Sequence, residues 1–250
     1  MSEPGVCDNG REGIVVLVVT RGTGSESAAL PHAVAPPSSL AFQIYLQILA
    51  GQELPDFAEF AEKVEVHRIR PGHVLFDIGD AHPYVYLVRN GTLKVSSAGP
   101  DGGEGIVAFC RSADMLASLL ALNPSGIQRL VGMPGNLVKL KALEGLGRSK
   151  TRATAIQGCE VERVEFSVLE DLMSRHPAWA IAVFNAVAVH AAVKERRERE
   201  FLLLTAEERY RRFLDDYNDL LGLVTQKDIA SYVGVTPVGL NRIAKRVGLG

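Results

Sequence analysis

The sequence predicts an α+β protein in which a β-jelly roll or barrel in the N-terminal half leads into a long helix and then into a helix-turn-helix domain at the C-terminus. Three features carry that expectation. Short β-like runs alternate with glycine turns between Val66 and Phe109, a helical pattern free of glycine and proline runs from Ala178 to Glu200, and the segment from Thr225 reads as two capped helices around Gly234. At 250 residues, 47% hydrophobic and 22% charged, the chain has room for two modest domains and the composition of an ordinary water-soluble protein. No apolar run in the sequence approaches the ~20 residues of a spanning helix. The stretch Ile14 to Val19 follows Glu3, Asp8 and Glu12 rather than the basic front of a secretion signal. The expectation is a cytoplasmic protein with no membrane partner.

Residues 1–38 are rich in Gly, Ser, Pro and Ala, and Pro31, Pro36 and Pro37 break any regular element. They read as a loosely structured N-terminal extension, with one strand at most at Ile14 to Val19. The first domain is expected over 39–176. Phe42, Tyr45, Leu46 and Leu49 recur at helical spacing, and Phe57, Phe60 and Val64 repeat the pattern after Pro55, a residue suited to a first helical turn. Strands are then expected at Val66 to Ile69, Val74 to Phe76, Tyr84 to Val88, Thr92 to Ser96 and Gly105 to Phe109. Pro71-Gly72, Gly79-Asp80 and Asn90-Gly91 punctuate them, and Asn90-Gly91 predicts a primed hairpin turn between its flanking strands. The stretch from Asn123 to Lys150, with Pro124, Pro134 and five glycines, reads as irregular, before strands return at Arg152 to Ile156 and Glu160 to Phe166.

Residues 177–204 form the next unit. The apolar positions Trp179, Val183, Phe184, Val187, Ala191 and Val193 make a narrow stripe, and the charges gather at Lys194 to Glu200. A long helix of this kind needs a partner, so it reads as a dimerisation helix in a homodimer. The alternative is a single helix packed on its own barrel.

The last unit, 205–250, holds the helix pair. Thr225 caps the first helix with Asp228 three residues on, Gly234 ends it, and Thr236 followed by Pro237 opens the second. Ile229 and Val233 fall on one inner face, Leu240, Ile243, Ala244 and Val247 on the other, and small Ala230 permits a close crossing. Val238, Gly239, Asn241, Arg242, Lys245 and Arg246 are left outside, where a recognition helix meets the major groove of double-stranded DNA. The net charge of −2 gives the whole chain no pull on nucleic acid, but Lys227, Arg242, Lys245 and Arg246 against Asp228 give this segment +3. A plain αα-hairpin with a polar outer face shares such spacing.

Arg70-Pro-Gly-His-Val-Leu-Phe76, Gly79-Asp80, Tyr84-Val-Tyr-Leu-Val-Arg-Asn-Gly91 and the terminal motif together resemble the Crp/Fnr transcription regulators. The resemblance runs from about Pro55 to Arg246 and implies a cyclic-nucleotide-binding-like effector domain, a homodimer, and a DNA-reading helix opened by Thr236. It carries the family's recurrent recognition arginine onto Arg242, on the same outward face as Val238, Asn241, Lys245 and Arg246. It also puts the effector pocket at Ala117, Ser118, Arg148 and Ser149, where three departures from the family stand out. Where the family's cyclic-nucleotide binders have a Gly-Glu pair for the ribose hydroxyl, this chain has Ala117 and Ser118. Arg148-Ser149 stands for the phosphate-binding pair but follows a long insertion. Pro237 and Val238 replace residues that commonly read bases. A small-molecule effector other than cyclic AMP is the resulting expectation.

The cysteines Cys7, Cys110 and Cys159 lie far apart, in no zinc spacing and no iron–sulfur cluster pattern. His67, His73 and His82 make no His-x-His pair with a following Glu, which argues against a metal-dependent enzyme on the same barrel. No catalytic residue, metal ligand or cofactor is expected. A cyclic-nucleotide-binding module without DNA binding, and a haem or redox sensor of the same fold using a residue such as His190, are the alternatives.

Overall fold

The computed structural model describes residues 40–99, 103–122, 124–131 and 145–248. The expected N-terminal extension, the strand at Ile14 to Val19 and Cys7 lie outside them.

Two four-stranded sheets form the first half. β1 (Glu65–Ile69), β8 (Cys159–Glu165), β3 (Tyr84–Asn90) and β6 (Met115–Leu116) lie in that order in one sheet, and β2 (Val74–Phe76), β7 (Arg152–Ala155), β4 (Leu93–Ala98) and β5 (Glu104–Cys110) in the other. All pairings are antiparallel. The two sheets enclose Phe76, Tyr86, Val88, Leu93, Val95, Ala153 and Val161 in one core. Alternation along the strands sends the other residues outward. On the first sheet these are Val85, Leu87 and Val164, and they are covered by helices.

The covering helices are α1 (Ala41–Ala50), α2 (Phe57–Lys63), α5 (Phe166–Arg175) and the start of α6 (Pro177–Leu203). Phe42, Leu46, Phe60, Leu169, Leu172 and Trp179 fill the space between them, and the Trp179 indole N–H donates to the Pro55 carbonyl at 2.7 Å. Pro55 therefore stands before α2 rather than in its first turn, which begins after Asp56 in a left-handed conformation. Helix α1 has no cap of its own. The fully buried Glu162 on β8 supplies one, accepting the backbone N–H groups of Ala41 at 2.6 Å and Phe42 at 2.8 Å, with the Arg89 guanidinium 3.6 Å away.

Two expectations are corrected. Asn90-Gly91 does not turn a hairpin, because β3 and β4 belong to different sheets and the chain crosses between them there. Gly91, at φ +95°, runs against the backbone of Gly158 and Cys159, so closely that any Cβ would lie 2.5 Å from the Gly158 carbonyl oxygen. The dipeptide serves a close approach between segments rather than a two-residue loop. Within the stretch read as irregular, α4 (Ser125–Val131) forms, just after the short α3 (Leu119–Leu122), with the Ser125 N–H and hydroxyl both donating to Glu170 of α5. That cap comes from 45 residues away, beyond the reach of local pattern.

Gly91→Ala combines an unfavourable backbone region with a backbone clash. It is expected to cost about 3 kcal/mol or more of unfolding free energy. Urea unfolding of wild type and variant checks this, and a loss under about 1 kcal/mol would contradict the close approach.

Candidate nucleic-acid interface

After α6 the chain forms α7 (Ala206–Tyr217), a 3-10 turn (Asn218–Leu220), α8 (Gln226–Val233) and α9 (Pro237–Val247). Each helix start is built from its sequence. Thr205 and Glu208 make a reciprocal capping box on α7, and the Thr225 hydroxyl accepts the Asp228 N–H on α8. On α9 the Thr236 hydroxyl accepts the Gly239 N–H at 3.1 Å, and Pro237 sits in the first turn. Gly234, left-handed at φ +79°, closes α8 and turns the chain. Ile229, Ala230, Val233, Leu240 and Ile243 meet inside, which leaves Thr236, Val238, Asn241, Arg242, Lys245 and Arg246 on the outside. Val238 is 62% exposed. Among the described residues Arg242 and Lys245 make no ion pair, whereas Arg246 lies 3.5 Å from Glu207.

The helical unit does not close its core alone. Ile106 and Phe109 of β5 enter it beside Phe213, Tyr217 and Tyr232, and the Phe109 ring lies 5.4 Å from that of Tyr232. In a regular strand, residues three apart face opposite sides. A bulge at Val107 skips one residue between the Ala108–Val95 and Ile106–Ser96 pairs and turns Ile106 and Phe109 to one face. Polar bonds follow the same seam. The Ile106 N–H donates to the Ser231 hydroxyl at 3.0 Å, Lys94 pairs with Asp228 at 3.1 Å, and Arg111 pairs with Asp219 at 2.6 Å while lying over the Tyr217 ring.

The end of α6 holds the other side. Arg196 pairs with Asp216, and Arg197 donates to the Tyr232 carbonyl with its guanidinium 3.7 Å above the Tyr232 ring. Arg209 donates to the carbonyls of Val233 at 2.8 Å and Leu204 at 2.7 Å. Burial holds the Arg197 pKa below the usual arginine value. At the junction, burial pushes Asp114 up to about 6, opposed by the Arg111 N–H that its carboxylate accepts. Sequence reasoning missed Phe109, Arg111 and Arg197, because they sit on elements remote from the helix pair.

The candidate effector residues lie on two segments joined by one bond, Gly147 N–H to the Leu120 carbonyl at 2.7 Å. Ala117 packs against the helical core, and the Ser118 carbonyl starts α3 by accepting the Ala121 and Leu122 N–H groups. The Arg148 guanidinium donates to the Gly79 carbonyl at 2.8 Å, and the buried Ser149 hydroxyl donates to the Thr151 carbonyl. The carboxylate acceptor that a ribose would need is absent from these four positions. His190, on α6, is lowered to about 4 by burial and by Lys194. Among the described residues no cluster of three or more His, Cys, Asp or Glu side chains could hold a metal ion.

Comparison with known proteins fits this arrangement. Residues 66–127 match the cyclic nucleotide-binding domain. The chain is 24% identical over 211 residues to the anaerobic regulatory protein of Haemophilus influenzae, covering 79% of this chain and 72% of that protein. Among solved structures, FixK2 from Bradyrhizobium japonicum superposes with a TM-score of 0.56 at 20% identity, over 74% of this chain and 84% of that one. The c-di-GMP responsive global regulator CLP of Xanthomonas campestris gives a TM-score of 0.53 at 15% identity, over 77% and 90%. Both structural likenesses concern the fold.

Phe109→Ala removes the anchor that ties the helix pair to the barrel and should cost about 3–5 kcal/mol. The expected calorimetric outcome is a split of the melt into two transitions, with the helical unit unfolding first. A single transition at the wild-type temperature would show that the seam does not hold the unit.

Proposed function

We infer that the chain, a member of the Crp/Fnr transcription regulators, binds double-stranded DNA as a homodimer through the outer face of α9. The observation that carries this reading is that face itself, with Val238, Asn241, Arg242 and Lys245 exposed on a helix fixed by its own cap. Arg242 and Asn241 offer planar forks that bond two groups on a base edge, each pair worth about 1–3 kcal/mol of discrimination. Val238 suits a thymine methyl. Lys245 lies later on the helix and meets phosphate, and Arg246 joins it once released from Glu207.

Helix α6 supports the dimer. Its inner face packs Trp179, Ala182, Val183 and Ala186, while Ile181, Phe184, Ala188 and Ala191 recur on the outer face at spacings of three and four, with Phe184 71% exposed. By length and composition α6 is the one helix among the described residues that could cross a membrane. Its packed inner face and its charged end favour a second copy of the chain instead. Since α6 is tied to the DNA-reading unit through Arg196 and Arg197, any change in how two α6 helices pair moves both α9 helices together. Half-sites roughly 34 Å apart follow from a two-fold dimer. The effector reading is a small molecule other than cyclic AMP, supported by Ala117 and Ser118 in place of a ribose acceptor. The relatives' names describe regulators, in keeping with a chain that catalyses nothing.

The test selects bound sequences from random duplexes and follows the chosen site by fluorescence anisotropy. Arg242→Ala is expected to lower affinity about 5- to 100-fold and relax base preference. Lys245→Ala should weaken every duplex alike and flatten the salt dependence, and cyclic AMP should leave the isotherm unchanged. An Arg242→Ala protein with unaltered affinity and preference would remove α9 as the reading face.

Phe184→Glu places a charge in the α6 seam and is expected to give a monomer by light scattering, with loss of tight operator binding. A dimer of wild-type affinity would move the interface elsewhere.

A further inference from the structure

A cleft of ≈340 Å³ opens where β1 and β2, the edge strands of the two sheets on one side of the sandwich, diverge. None of Ala117, Ser118, Arg148 or Ser149 lines it. Its floor is apolar, formed by Ile69, Leu75 and the buried ring of Tyr86. Arg68, Arg70 and Arg163 line it as well, together with His67 and His73.

We propose that this cleft is a second ligand site, which takes a small organic anion by gripping a phosphate or carboxylate group with Arg70 and Arg163 while its apolar part lies on Leu75 and Tyr86. The local charges favour an anion. Glu65 is shared between Arg163 and His67, and Glu160 between Arg68 and Arg89, so the carboxylates at the rim are already engaged. Arg70 has no carboxylate partner among the described residues and stands exposed beside the cleft. Arg163 is held in place from behind, its guanidinium 4.3 Å above the Tyr84 ring. Arg70 is a free planar fork and Arg163 a pre-positioned one with an N–H taken by Glu65, and such forks bind phosphate or carboxylate in two-point fashion, with neighbouring imidazoles adding donors. An apolar floor with a few convergent polar groups then sets the size and orientation of the remainder.

An occupant here would act on a strand already linked to the dimer helix. Glu162, next to Arg163 on β8, caps α1, and α1 packs along α6. An anion that competes with Glu65 for Arg163 therefore bears on the same strand that seats α1.

The probes are phenyl phosphate and benzoate, with benzyl alcohol as the uncharged counterpart, titrated by calorimetry into the full chain at constant ionic strength. At least one of the two anions is expected to bind one per chain at up to millimolar concentration, and which one binds identifies the preferred group. Benzyl alcohol should give no saturable heat. Arg70→Ala with His73→Ala, both exposed and so harmless to folding, should weaken the anion about tenfold or more, whereas Arg242→Ala on α9 should leave anion binding as in wild type. Absence of saturable binding by both anions overturns the proposal, as does binding that survives the Arg70/His73 changes or disappears with Arg242→Ala.

Discussion

The edge of β5, which pairs with no other strand among the described residues besides β4, is the constraint from which the rest of the architecture follows. An edge strand leaves backbone donors and acceptors without partners, and a helical unit of only about forty residues buries too little to stand alone. Each deficit is met by the other. Ser231 takes up the Ile106 N–H and donates onward to the Glu104 carbonyl, while Phe109 fills the space among Phe213, Tyr217 and Tyr232. The two parts of the chain thus share one core, and the bulge at Val107 is the device that turns both apolar residues towards it.

On the opposite side the same unit is fastened by cations rather than by apolar packing alone. Arg196, Arg197 and Arg209 use carbonyls, carboxylates and aromatic faces, and the Phe201 ring of α6 lies so close to Gly234, at φ +79°, that a side chain in the turn between α8 and α9 would have to displace it. Charges in such places are tolerated because their guanidinium groups find carbonyl and carboxylate acceptors in place of water. The helices proposed to read DNA are therefore gripped between a strand of their own barrel and the end of the helix proposed to pair with a second copy. A shift of either is felt by α9 without passing through a flexible linker.

The fold was legible wherever the information is local. Strand spacing, the threonine caps at Thr225 and Thr236, the left-handed Gly234 and the unbroken run after Pro177 each follow from a few neighbouring residues, and they suffice for the α+β reading with a jelly roll, a long helix and a terminal helix pair. What escaped depends on segments far apart in sequence. The cap on α1 is a glutamate 120 residues later, the face of Phe109 depends on a bulge that shifts the period by one, and Gly91 answers to the backbone at Gly158. Of the candidate site, the outward residues of α9 could be enumerated from helical period. Arg111 and Arg197, which fasten the neighbouring α7 and α8 through Tyr217, Asp219 and Tyr232, carry no local signature that separates them from surface arginines.

Among the described residues β1 pairs with β8 alone, which has a bearing on how the protein is made. Glu65 meets Arg163 across nearly a hundred residues of intervening chain, and Glu162 on the same late strand completes α1. During synthesis at roughly 5–20 residues per second, β1, β2 and α1 wait on the order of 5–20 s on the ribosome before their partners emerge. Through that interval β3 lacks β8 and β4 lacks β7, so part of the apolar surface that the finished sandwich closes stays open on the nascent chain. Contacts this distant also make refolding of the isolated protein slow relative to its size.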